Sequence, residues 1–228
     1  MLLIGNGWLL TRDQGNYIEN GAVAIEGNLI LEVGETAKLK QKYPQAEWID
    51  ADGGVIMPGL VNTHNHIYSA FARGLSIKGY NPHDFNDILE GMWWKIDRLL
   101  TKENDSLSAQ AVYIDCIKNG VTTVFDHHAS YLDIPGSLDT IADAAKALGV
   151  RTSLCYEVSD RDGKVKMTEA VLENERMILR ANADDSDMLK GMMGLHAAFT
   201  LSDETLALCK QHTPSYTGAH IHVAEGPG

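Results

Sequence analysis

Apolar and polar positions follow two regimes along the chain. Up to residue 57 the runs Leu2 to Leu10, Ala22 to Glu26, Leu29 to Val33 and Glu47 to Ala51 read as short β segments, separated by turn signals at Asn20-Gly21 and Gly27-Asn28. The Gly27-Asn28 pair between two apolar runs predicts a hairpin. Helical periodicity here is confined to Thr36 to Lys42. From Met57-Pro58-Gly59 onward, apolar runs alternate with longer segments of 3.6 period: Gly59 to Asn65, Val121 to Phe125, Thr152 to Tyr156, Leu189 to Leu195 and Gly218 to Val223 are the runs. Between them, Phe85, Ile88, Leu89, Met92, Trp93, Ile96, Leu99 and Leu100 make one apolar helical stripe. Further helices are predicted over about Ser106 to Lys118, Ser137 to Leu148, Thr168 to Ala181, and after the N-cap Ser202. Five strands alternating with helices predict parallel βα units of an α/β fold, residues 58–228, behind a small β domain, residues 1–57.

Composition narrows the classes. With 44% hydrophobic and 22% charged residues, the 228-residue chain is neither disordered nor fibrous. Its 19 Lys+Arg against 31 Asp+Glu give −12, which would repel nucleic acid or an anionic membrane. Three cysteines without a CxxC fit a reducing compartment. No run approaches about 20 apolar residues and the opening MLLIGNGWLLTRD has no signal-peptide pattern, so a cytoplasmic protein is expected.

The chemistry concentrates in histidines. His64 and His66 sit at the end of the first βα strand, where residues i and i+2 share a face and can reach one ion. Alone, the pair is as consistent with chance among nine histidines as with a metal. His220 and His222 share a face at the end of the fifth strand, with Glu225 following as the chain turns; His196 ends the fourth, and Asp126-His127-His128 the second. In a barrel of βα units these C-terminal ends build the active site. His220 reads as packing behind the site, and Asp126-His127-His128 as a pocket wall or an exposed loop. Of the adjacent tryptophans, Trp93 fits the apolar stripe and Trp94 falls to a groove or the barrel mouth. The literal His-Asn-His at 64–66 is not the HNH nuclease pattern, whose histidines lie far apart.

MPGLVNTHNH after a small β domain resembles the opening of the barrel in the amidohydrolase superfamily, and the run HNHIYSAFARGLSIKGYNPHDFNDILEGMWWKIDRLLT looks most like the aminohydrolases called SsnA. The resemblance implies a (β/α)8 TIM barrel preceded by part of a β-sandwich. It implies metal ligands at His64, His66 and His222, a proton shuttle at Glu225, and a substrate-binding role for His196. Binuclear members carry a bridging lysine at the end of the fourth strand; Lys190 is at its start, so one divalent ion, Zn or Fe, is expected. The implied reaction is hydrolysis of a C–N bond other than a peptide bond, typically deamination of a small heterocycle, in a protein that is often a homodimer.

A complete barrel needs eight βα units and about 250 residues, whereas this sequence ends just past the fifth strand. The expectation is a piece of a roughly twice longer enzyme, without the later histidine and aspartate that the resemblance implies. The alternatives are an inactive fragment that at most binds metal, and a hydrolase of cyclic amides or halogenated rings on the same scaffold.

Overall fold

The computed structural model describes residues 1–13 and 16–224. It divides into two compact units, Met1–Gly59 and Leu60–Gly228.

In the first unit, β1 (Leu2–Leu10) is the spine of a five-stranded sheet. Residues 3, 5, 7 and 9 of β1 are buried and most of their neighbours are not, the alternation of a strand with one covered face. β2 (Tyr17–Glu26) pairs antiparallel with β1 and with β3 (Leu29–Glu35). Gly27 at φ +59° makes the predicted hairpin turn between them. Helix α1 (Thr36–Lys42) lays Leu39 on Leu3, Ala22 and Ala24, and β4 (Glu47–Asp50) and β5 (Val55–Ile56) run parallel to β1. One expectation fails: Asn20-Gly21 is not a turn but lies inside β2. The pairing with β1 shifts register there, so the two residues are absorbed as an irregularity in a longer strand.

In the second unit, β6 (Leu60–Asn65), β7 (Val121–His128), β8 (Arg151–Tyr156) and β9 (Leu189–Gly191) are hydrogen-bonded in that order, all parallel. β10 (Met193–Ala197) continues the line through a bridge from Val158 to Leu195 and pairs parallel with β11 (Ala219–His222). The fourth predicted run is thus broken in two at Met192. The break has a mechanical cause. Asn174, buried between β8 and β10, accepts from the N–H groups of Tyr156 and Gly194 and donates to the Tyr156 carbonyl, satisfying backbone that strand pairing leaves open.

The single apolar stripe of residues 85–100 is not one regular helix. It forms α2 (Phe85–Ile88), a π turn over Leu89–Trp93, and α3 (Trp94–Ile96). α4 (Lys102–Lys118) starts earlier than its apolar pattern because Thr101 and Asn104 form a reciprocal capping box. α5 (Ser137–Leu148) has the predicted bounds; α6 (Gly163–Asn182) begins a turn and more early, and α7 (Asp203–Gln211) is capped by Ser202 as expected. The core is formed where these helices cover the sheet, around Tyr113, Leu138, Ile141, Leu154 and Met177. Among the described residues no helix is long and apolar enough to cross a membrane.

Close backbone approach makes one glycine decisive. A Cβ on Gly194 would lie 2.1 Å from the Tyr156 carbonyl oxygen. Gly194→Ala should therefore cost about 3 kcal/mol or more, because backbone rather than a flexible side chain has to give way. A urea midpoint unchanged from the parent would show that β8 and β10 are farther apart than this.

Candidate metal centre

β6 and β11 bring three of the predicted residues together. His64 is on β6, His66 immediately follows it, and His222 ends β11. One nitrogen from each ring lies within 4.8 Å of the others, which makes them, among the described residues, a group able to hold one ion. The His64 ring centroid is 4.7 Å from that of His66 and 4.9 Å from that of His222.

Hydrogen bonds determine which nitrogen faces the centre. His66 Nδ1 donates to the His127 carbonyl at 2.8 Å, and His222 Nδ1 donates to the His196 carbonyl at 2.6 Å. A carbonyl only accepts, so each Nδ1 carries the proton and each Nε2 presents a lone pair. Burial, helped by the neighbouring histidines and opposed by the His127 carbonyl, pulls His66 down to about 4 and keeps it neutral at physiological pH. His222 Nε2 is buried and has no hydrogen-bond partner among the described residues. An orphaned buried acceptor beside two further imidazoles suits a zinc- or iron-type divalent ion.

The surrounding residues sort differently from one another. His220 is half-buried with Nε2 3.2 Å from His64 Nδ1, so it braces that ring. His196, on β10, is 4% exposed and shares a hydrogen bond with the Thr200 hydroxyl through Nδ1. Asp126, His127 and His128 are fully buried on an extended β7, which rules out the exposed-loop alternative. β7 runs to His128 because its polar end pairs residue by residue with Leu154, Cys155 and Tyr156 of β8. Lys190 sits at the start of the fourth strand pair and bonds the exposed Asp187. His83 is exposed in its loop, and His212 pairs with Glu175 at 2.9 Å. Trp93 packs on the core and lines the cavity beside the histidines, while the Trp94 ring lies 6.1 Å from that of His196. Glu225 lies outside the described residues.

Sequence reasoning passed over Glu157 and Arg161. Both are almost wholly buried just past β8, Arg161 Nη2 donating to Glu157 Oε1 at 3.0 Å and also to Asp97. The available signal was positional: a carboxylate directly at a strand's C-terminal end, four residues ahead of an arginine.

The sequence pattern of the amidohydrolase family matches residues 55–228, and that of a bacterial imidazolonepropionase-like composite domain matches residues 21–46. The chain is 30% identical over 227 residues to the 5'-deoxyadenosine deaminase of Methanosarcina barkeri, covering 98% of this chain and 49% of that protein. It is 27% identical over 219 residues to a 5-methylthioadenosine/S-adenosylhomocysteine deaminase of Bacillus cereus, covering 93% and 47%. In fold it is similar to a mutant of the atrazine chlorohydrolase TrzN from Arthrobacter aurescens TC1 complexed with zinc and atraton, with a TM-score of 0.79 at 22% identity over 97% of this chain and 52% of that one. The E. coli guanine deaminase gives 0.77 at 21% identity, over 99% and 54%. The chain spans about half the length of the relatives it matches.

Proposed function

The chain belongs to the amidohydrolase family, and from that premise we propose that it carries the metal-binding part of an aminohydrolase that releases ammonia from a small aminated heterocycle. The observation that carries this reading is the convergence of His64, His66 and His222 at the C-terminal ends of two parallel strands, with the Nδ1 protons of two of them held on carbonyls. These three residues would hold one divalent ion, zinc or iron. Bound there, the ion would supply a water acidic enough to act as nucleophile near neutral pH.

The chain's own residues contribute to the remaining steps. The Glu225 carboxylate takes a proton from the attacking water and returns it to the departing nitrogen, the acid and base work that loss of ammonia requires. His196, its ring held through Nδ1 by Thr200, orients the ring being attacked. Tyr68 and Trp93 wall a cavity next to His66, His196 and His222, where flat apolar faces suit a planar substrate and exclude bulk water. Relatives named as deaminases of adenosine derivatives make aminated purines and their nucleosides the first substrates to try.

The test is ammonia release from a panel of aminopurines, aminopyrimidines and aminotriazines by zinc- or iron-loaded protein. Turnover is expected with at least one of them and should disappear on removal of the metal with a chelator, returning on its restoration. Metal-loaded protein that liberates ammonia from none of them would overturn the reading.

A further inference from the structure

Glu157, the residue after β8, lines the same cavity, about 150 Å³ in volume, as His66, His196, His222, Tyr68 and Trp93. Its position is fixed from several sides. The Glu157 N–H donates to the His128 carbonyl at 2.8 Å, and the Tyr131 hydroxyl donates to the Glu157 carbonyl at 2.9 Å. Arg161 occupies Oε1, and among the described residues Oε2 takes no hydrogen bond. Arg161 is itself immobilised, paired with Asp97 and stacked with its guanidinium carbon 3.9 Å from the Tyr131 ring centroid.

The charges of this cluster do not balance. Arg161 and Arg98 face Asp97, Glu157 and Asp162, so one carboxylate is in excess. Glu157 is only 3% exposed and Arg161 donates to Oε1, so a donor that reaches the rest of the carboxylate has to come from the cavity that Glu157 lines. Glu157 is not among the side chains that converge on one ion, so the metal centre does not supply that partner directly. The cavity does have room for one. Its histidine side would approach a ring at the carbon under attack, and Glu157 would meet another edge of the same ring.

We propose that Glu157 is a specificity-determining residue whose carboxylate receives a donor edge of the substrate, an amino group beside a ring N–H in a planar nitrogen heterocycle. This rests on the reading above only in taking the cavity as the substrate's place. It favours rings with an amidine- or guanidine-like edge over rings whose corresponding edge offers only acceptors.

Equilibrium binding to zinc-loaded protein tests it, using 2-aminobenzimidazole, which carries that edge, and 1-methyl-2-(dimethylamino)benzimidazole, which keeps the flat ring and lone pair but has no donors. Charge-assisted hydrogen bonds to a buried carboxylate should make the first bind about tenfold tighter or more. In Glu157→Gln the preference should shrink to about threefold or less, since the charge is gone and only a neutral acceptor is left. If Glu157→Gln gives no cooperative melt, Glu157→Asp replaces it, keeping the charge beside Arg161 while withdrawing the carboxylate by one methylene, and the same loss of preference is expected. Equal affinity of the parent protein for the two probes, no binding of either at millimolar concentration, or a folded variant that retains the full preference would overturn the proposal. Ammonia release plays no part in these measurements, so a result against Glu157 leaves the hydrolase reading standing, and an inactive protein that still discriminates the probes leaves Glu157 standing.

Discussion

Glu225→Gln is expected to lower turnover on the order of 10²- to 10⁴-fold while leaving the metal bound. Glutamine fills the same space but cannot accept a proton from water and give it back. Glu225 is three residues beyond His222, and an amide there removes no ligand from the group formed by His64, His66 and His222. The measurement is paired: metal content by elemental analysis and ammonia release on the best substrate of the panel, for parent and variant together. A variant that keeps both would remove Glu225 from the chemistry, and one that loses both would make it part of the metal site.

His222→Ala acts on the other half of the machinery. Removing it takes one of three converging imidazoles and frees the His196 carbonyl that orients it. Zinc affinity should fall by about 100-fold or more, since loss of a supporting residue alone commonly costs 10- to 100-fold. Competition against a chromogenic chelator reads this directly. Thermal melts give an independent reading, because zinc at about 1,000 times its dissociation constant stabilises the parent by about 4 kcal/mol, and most of that gain should be missing in the variant. Unchanged zinc affinity in His222→Ala would place the ion elsewhere.

Much of the fold was legible because local signals and tertiary packing agree. β1 and α5 have their predicted bounds, and Ser202 caps α7 by accepting from the Thr205 N–H. The departures occur where a neighbouring strand or helix outweighs local pattern. Asn20-Gly21 reads as a turn but is held in β2 by pairing with β1. The apolar stripe of residues 85–100 promised one helix and became a helix, a π turn and a shorter helix, because hydrophobic periodicity reports which face is buried and not which hydrogen-bond pattern carries it.

The site divides along the same line. Strand period two and a βα alternation put His64 with His66, and His220 with His222, on shared faces at strand C-termini; the resemblance to the amidohydrolase superfamily is what singled out His64, His66 and His222 as a ligand set. Which nitrogen each ring turns inward depends on carbonyls of His127 and His196, 61 and 26 residues away in sequence, and no local pattern encodes those partners. Glu157 is the sharper case. In sequence it is one of 31 acidic residues; only the packing of α6's leading loop, Asp97 and Tyr131 around Arg161 makes it an almost wholly buried residue in the wall of the cavity that His66, His196 and His222 also line. Covalent order and periodicity determined the scaffold and which residue types stand at its strand ends. Proton positions, burial and the excess charge in the pocket wall were decided by contacts between strands far apart in the chain, because desolvation and hydrogen bonding depend on what surrounds a group in space.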